Sequence, residues 1–160
     1  MKFPYICQCS NDKSFMIKTM KSITVLILLV FSQIATFAQT YDKKYSESVE
    51  EINEYLLVNE FSDALPFLNK LENEGYTNAN IYYKLGKCYL NSVFEKTKAV
   101  SYLERASRNT TVNYNIDNTL EQKAPLEVFL FLGDAYRVNN RLKDAEIAYK
   151  KYQSLIKYLF

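Results

Sequence analysis

From residue 41 onward, apolar side chains return at spacings of three and four rather than two, so the body of the chain predicts helices and no sustained strand. Tyr82, Leu85, Gly86 and Tyr89 fall at i, i+3, i+4 and i+7. Phe129, Leu132, Gly133 and Tyr136 repeat that spacing with the same chemistry in the same order. A second stripe follows each set, Ala99-Leu103-Ala106 and Ala145-Tyr149-Tyr152, both at i, i+4 and i+7. Upstream, Ala64-Leu68-Leu71 has the same spacing, with Tyr55 nine residues before Ala64. Tyr55 and Tyr89 are 34 residues apart, and Ala64 and Ala99 are 35 apart, so the pattern predicts three helix pairs of one design.

Breakers divide these stripes. Pro66 and Pro125 are expected in the first turn of a helix, where a missing N–H costs nothing. Ser62 is expected to cap the helix holding Pro66, and Gly75 to end it in the left-handed conformation. The polar run SRNTTVNYNIDNTLEQKA at 107–124 makes the step from Tyr89 to Tyr136 thirteen residues longer than one repeat. It reads as a long connection with one short helical turn before Pro125, and Tyr114 is the large residue in it able to make a contact. Repeats then fall at about 45–78, 79–110 and 126–160 within one domain at 41–160.

The residue types follow from packing. A small side chain at Gly86 or Gly133 lets the first helix of a pair approach the second, and Ala99 or Ala145 does the same at the crossing point. The aromatic three residues after each glycine fills the space toward the neighbouring pair. One pair alone cannot bury its apolar face, so pairs stack and share a core.

At these positions the chain resembles the tetratricopeptide repeat family. The large-x-x-Leu-Gly-x-x-Tyr signature matches Phe129, Leu132, Gly133 and Tyr136, followed by Ala145 and Tyr149. Tyr82, Leu85, Gly86 and Tyr89 match it again, followed by Ala99, Leu103 and Ala106 after a one-residue insertion around 91–96. The first repeat keeps Tyr55, Ala64 and Leu68, while Ser48, Glu51 and Ile52 depart from the signature, as suits an N-terminal cap. The resemblance implies an all-α, tetratricopeptide-type solenoid of helical hairpins with about three repeats. It also implies a concave face lined by first helices, on which Asn53, Tyr83, Lys87, Asn91, Asp134 and Arg137 would hold a peptide or a partner helix. In that reading Lys87 and Arg137 meet a carboxylate, Asn53 and Asn91 hold peptide backbone, and Tyr83 stacks. The family's two-carboxylate clamp is not reproduced, because Val49 stands where its lysine belongs.

Composition changes the picture by subtraction. The 160-residue chain has no histidine, which removes His-based acid–base dyads and His-containing zinc sites. Its three glycines cannot form a phosphate-cradling loop. Cys88 is the one cysteine of the body and reads as a small packed residue. Paired carboxylates such as Glu50 and Glu54 lie on an acidic helix face with no apolar pocket to separate their pKa values. No enzyme, metal or cofactor is expected.

The net charge of +2 includes Lys2, Lys13, Lys18, Lys21 and Asp12 near the N-terminus; from Gln39 onward 16 basic residues face 17 acidic ones. That balance argues against nucleic acid as a partner. Charge is nonetheless polarised. Residues 42–74 hold nine acidic and three basic groups, whereas residues 137–160 hold six basic and two acidic.

The leader reads as an export signal. Lys18 and Lys21 precede the nine-residue run ITVLILLVF at 23–31, and Thr36-Phe37-Ala38 supplies small residues before a cleavage expected between Ala38 and Gln39. The run is shorter than the ~20 residues of a spanning helix. Retention of the leader as an anchor is the alternative, and Met1, Met16 and Met20 are all candidate starts. Residues 1–38 thus form an N-terminal extension and signal peptide.

A narrower resemblance rests on Lys123-Ala124-Pro125-Leu126-Glu127 leading into FLFLGDAY, with KLGKCYLNS upstream. These segments look like exported Gram-negative envelope proteins in which tetratricopeptide repeats precede TolB-like propeller repeats and an OmpA-family domain. Neither of those domains is in this chain, so a shortened relative and a fragment of a longer protein stand side by side. The expectation is a non-enzymatic interaction scaffold, exported to the periplasm or cell envelope and associated with the outer membrane. Its partner would be a protein or peptide, with membrane contact only through the leader or an envelope complex. The alternative is a membrane-anchored input domain of a regulatory protein. Leu155, Ile156, Tyr158, Leu159 and Phe160 leave an apolar C-terminal end open to self-association or to folding back.

Overall fold

The computed structural model describes residues 43–93, 95–157 and 159. The leader, including the expected cleavage at Ala38 and Gln39, lies outside the described residues, as do Tyr158 and Phe160. The described part is mainly helical. Helix α1 covers residues 43–57, followed by α2 (Phe61–Asn73), α3 (Ala79–Asn91) and α4 (Lys96–Ala106). A two-residue parallel bridge joins β1 (Thr110–Thr111) to β2 (Ala124–Pro125), and α5 (Val128–Val138) and α6 (Leu142–Ile156) complete the chain. No helix among the described residues is long and apolar enough to cross a membrane.

Short turns make three hairpins, α1–α2, α3–α4 and α5–α6. In the second and third, the glycine of the first helix faces the second helix. A Cβ built on Gly86 would lie 2.5 Å from Leu103 Cγ, and one built on Gly133 would lie 2.5 Å from Tyr149 Cδ1. Leu103 and Tyr149 each stand four residues after the crossing alanine, Ala99 or Ala145, so the two contacts are equivalent. The first hairpin places Ile52, fully buried, where the others have glycine.

Consecutive hairpins pack on one another, α2 against α3 and α4 against α5, and their buried residues form one cluster. Ala64, Tyr82, Leu85, Tyr89, Ala99, Leu132, Tyr136 and Ala145 are all buried in it, with Tyr55, Phe129 and Tyr149 packed half-buried at its edge. Helix α3 is buried almost all round, because it packs against both its own partner and the neighbouring hairpins. Glu51, which replaces the leucine of the other two hairpins, is exposed.

The helix ends show what sets the hairpin angle. Gly75 has φ of +93°, its N–H donates to the Glu72 carbonyl (3.0 Å), and the Tyr76 N–H donates to the Leu71 carbonyl (3.0 Å). This is the Schellman arrangement expected of a glycine just past a helix. Asn59 and Asn140, with φ near +60°, end α1 and α5 in the same way. Their following residues, Glu60 and Arg141, donate to the Tyr55 and Tyr136 carbonyls at 2.9 Å and then serve as the N-caps of α2 and α6.

Three local expectations are corrected. The N-cap of α2 is Glu60 and not Ser62, because the Asn59 turn already fixes the chain direction two residues earlier. Pro66 is the sixth residue of α2 and so removes a ladder bond; it and Ser62, four residues before, are exposed, where water can take the freed carbonyl. Pro125 lies in β2, paired with Thr111, and α5 begins three residues later.

Candidate interaction face

The first helices of the hairpins meet on one inner face. Lys84 of α3 donates to Asn53 Oδ1 of α1, and Tyr83 of α3 meets Phe131 of α5 with ring centroids 5.9 Å apart. The long connection between α4 and α5 folds onto this face. Its Asn-rich composition explains its local shape. Asn115 Oδ1 accepts from the Asp117 N–H (2.9 Å), Asn118 Oδ1 from the Leu120 N–H (3.2 Å), and Thr111 Oγ1 from the Asn113 N–H (3.2 Å). Such i, i+2 bonds satisfy backbone without helix or sheet.

Two asparagines anchor the connection, each using both ends of its amide. Asn53 donates from Nδ2 to the Ile116 carbonyl (2.9 Å) while its Oδ1 takes the Lys84 proton. Asn80 donates from Nδ2 to the Glu121 carbonyl (2.9 Å) and accepts from the Tyr114 hydroxyl (2.9 Å). The Asn80 backbone N–H, in the first turn of α3 and without an intrahelical acceptor, donates to the Gln122 carbonyl (3.1 Å). Ser46 and Thr119 share a hydroxyl–hydroxyl bond of 2.6 Å. Tyr114 meets the edge of Tyr83, centroids 6.3 Å apart at 71°.

The connection therefore covers much of the face expected to hold a partner. Asn53 and Tyr83 are buried beneath it and spend their polar and aromatic groups on it. Burial, and then the charge of Glu127, raises the Tyr83 hydroxyl pKa above the ordinary tyrosine value; burial likewise raises that of Tyr114, with Glu121 adding to it. Lys87 is half-buried between two rings, its Nζ 5.4 Å from the Phe131 centroid and 5.9 Å from that of Phe61. Asp134 accepts from the Tyr149 hydroxyl (2.8 Å) and lies 3.5 Å from Arg137, whose side chain is largely exposed. Asn91 is exposed and donates to the carbonyl of Lys87, one turn back (2.8 Å). Of the six candidates, Lys87, Asn91 and Arg137 keep exposed or half-exposed polar groups, and Asp134 is held by its neighbours.

What stays open is a recess of about 270 Å³ between α1, α3 and the connection, walled by Leu56, Tyr83, Tyr114 and Ile116 and reached by Lys84, Lys87 and Glu127. Lys84 is the residue the sequence reading missed. It is 1% exposed, and burial followed by the charge of Lys87 lowers its pKa to about 8. Polarity alone places a lysine in water; the pairing of Asn53 with a lysine 31 residues away leaves no mark at short range. Cys88, fully buried, has its thiol raised to about 12 by burial, against the opposing charges of Lys87 and Lys84, so it is not a thiolate nucleophile at neutral pH. Among the described residues, no three of His, Cys, Asp and Glu gather as a metal site would require.

Removing Tyr114 tests the hold of the connection. Tyr114→Ala deletes a ring contact and a hydrogen bond, and about 2 kcal/mol of stability is expected to go with them. Amide hydrogen exchange over residues 112–123 should quicken far more than that of α5 and α6. Unchanged protection in that segment would show that Tyr114 does not hold it.

No family model matches this chain, nor does any curated protein or solved structure.

Proposed function

We propose that this protein is a non-enzymatic interaction scaffold of the tetratricopeptide type, exported to the periplasm or cell envelope, which holds a peptide or partner helix on its inner face. One observation carries the reading: the equivalent contacts Gly86–Leu103 and Gly133–Tyr149 in hairpins packed in succession. Hairpins built to one plan and stacked through shared apolar faces make an extended surface, and binding is what such a surface supplies. The polar groups left on the inner face support a protein ligand rather than a reaction. Lys87, Arg137 and Asn91 offer donors to carboxylates and peptide carbonyls, and the recess beside Lys87 offers aromatic and aliphatic walls. Export rests on the leader, in which basic residues, a nine-residue apolar run and small residues follow in order.

Site-specific photo-crosslinking in envelope fractions tests the binding surface. A crosslinker at Lys87 or Arg137 should trap a discrete protein, and the same group at Lys143, on the outer side of α6, should not. Loss of the product in a Lys87→Glu, Arg137→Glu variant would support the face. Equal labelling from all three positions would count against it. N-terminal sequencing of the mature chain tests export: a start at Gln39 is expected, and an intact leader favours the anchored alternative.

A further inference from the structure

Beside the tyrosine of each first helix, two of the three hairpins are built alike and the third differs. Phe67, Tyr102 and Ala148 each stand three residues after a crossing alanine, Ala64, Ala99 or Ala145. In the first hairpin Phe67 stacks on Tyr55, centroids 5.5 Å apart at 27°. In the second Tyr102 stacks on Tyr89, again at 5.5 Å and nearly parallel at 2°. The third hairpin keeps the tyrosine, Tyr136, but has the methyl of Ala148 in place of the second ring, while the Arg141 guanidinium lies over Tyr136 at 4.3 Å from its centroid. A hollow of about 190 Å³ lies there, lined by Phe129, Leu132 and Tyr136 of α5 and by Asp144, Ile147, Ala148 and Lys151 of α6, the Asp144 carboxylate being held by Arg141 at 2.7 Å. An apolar cavity of roughly 150 Å³ is enough to take a benzene ring. Ile147 at its edge is 66% exposed.

The neighbouring charge shows the same omission. Arg105 occupies in α4 the place that Lys151 has in α6, and it reaches Glu72 of the preceding hairpin at 3.5 Å. Glu72 also accepts the Tyr102 hydroxyl at 2.8 Å. At the place corresponding to Glu72 the next second helix is followed by Ser107, which carries no charge. Lys151 has no acidic partner among the described residues, whereas Lys150 and Arg141 are paired with Glu146 and Asp144. The segment around it, residues 137–160, has six basic groups against two acidic. Arg105 thus has a carboxylate from the first hairpin beside the ring of Tyr102, whereas Lys151 has no such carboxylate beside it and Ala148 no ring; the Asp144 and Glu104 carboxylates nearby are taken by Arg141 and by the Tyr136 hydroxyl.

We propose that this hollow is a docking socket for an acidic, aromatic segment of a partner protein, the ring entering beside Tyr136 and an adjacent carboxylate meeting Lys151. Its lining shares no residue with the recess on the inner face, so it stands or falls apart from the function proposed above. The ring would complete the stack that Phe67 and Tyr102 make in the other hairpins. The carboxylate would take the part that Glu72 plays for Arg105.

The test is an NMR titration of the isotope-labelled full-length chain with the peptide acetyl-Asp-Glu-Phe-Glu-Asp-amide. Two controls replace Phe by Ala, or the four acids by Asn and Gln. Shifts should centre on Tyr136, Ile147, Ala148 and Lys151, with each control binding at least tenfold more weakly. Ala148→Tyr should fill the socket, raise Tm and abolish the shifts. Lys151→Glu, which leaves the apolar lining in place, should weaken binding severalfold and make it less sensitive to salt. Equal binding of the Phe and Ala peptides, or binding that survives both substitutions, would overturn the proposal. So would the absence of any shift at millimolar peptide. Concentration-dependent self-association that Ala148→Tyr removes would assign the socket to a second copy of this chain and overturn it likewise.

Discussion

Replacing Gly133 by leucine is expected to lower stability by about 2–3 kcal/mol, the upper part of the range for forcing extra methylenes into a packed contact. A Cβ on Gly133 would lie 2.5 Å from Tyr149 Cδ1 and 2.8 Å from Cζ, well inside any van der Waals separation. The ring cannot simply swing aside, because its hydroxyl donates to Asp134 (2.8 Å) and its body fills the seam between α5 and α6. Gly133→Ala is expected to destabilise as well, although alanine in an open helix gains about 1 kcal/mol over glycine. Shortening the facing side chain separates overpacking from other causes. Tyr149→Ala should recover part of the loss when combined with Gly133→Leu, giving a coupling energy that two independent sites would lack. Urea unfolding of the four proteins measures it. An unchanged midpoint for Gly133→Leu would remove this glycine from the helix contact.

The second large effect is expected at Lys84, whose buried amine makes stability depend on alkaline pH. Its pKa is lowered from the ordinary 10.5 to about 8, first by burial and then by the charge of Lys87. Between those two values the unfolded chain holds a proton that the folded chain has released, so the slope of stability with pH is positive there. Below pH 8 both states are protonated and the full penalty for burying the charge is present. A gap of this width corresponds to roughly 3 kcal/mol. Lys84→Met removes the charge and is expected to be the more stable protein at pH 7, less whatever Asn53 loses when its Oδ1 has no donor. That advantage should shrink steadily as pH rises from 8 toward 10. Cys88, the buried Tyr83 and the half-buried Tyr114 work in the opposite direction. Their raised pKa values mean that the unfolded chain ionises first, from about pH 9 for the thiol and pH 10 for the phenols, and stability falls. The tyrosines are common to both proteins and cancel in the difference, and Cys88 cancels in part, because the Lys84 charge acts on its thiol. A stability difference between Lys84→Met and the parent that stays constant from pH 7 to 10 would show that the lysine is not perturbed.

Much of the helical framework is legible without coordinates. The stripes containing Tyr82, Leu85, Gly86, Tyr89 and Phe129, Leu132, Gly133, Tyr136 lie within single helices, and a period of 3.6 is a local property. Gly75 ends α2 where a left-handed residue is needed, which is also local. The start of α2 lies at Glu60 and not at Ser62, and the sequence carries a signal for it. Asn59-Glu60-Phe61-Ser62-Asp63-Ala64 and Asn140-Arg141-Leu142-Lys143-Asp144-Ala145 are the same turn written twice, and the left-handed asparagine sets both. The candidate face was legible only in part. Lys87, Asn91 and Arg137 keep polar groups at the surface, but Asn53 and Tyr83 are taken up by the chain's own connection.

The periodic elements, the hairpin turns and the small residues at their crossings follow from the order of residues alone, because each depends on neighbours within a turn or two of the chain. The bonds by which Thr111, Asn115 and Asn118 hold backbone N–H groups two residues on are local in the same way. Where the connection at 107–124 lies is set by the folded chain. Its anchors join Asn53 to Ile116 and Ser46 to Thr119, 63 and 73 residues apart, and bonds over such distances follow no spacing rule. The same holds for Lys84, which is buried because α3 is enclosed by helices on several sides, and for the hollow at Ala148, which is visible only once Tyr136 is seen without the ring its counterparts have.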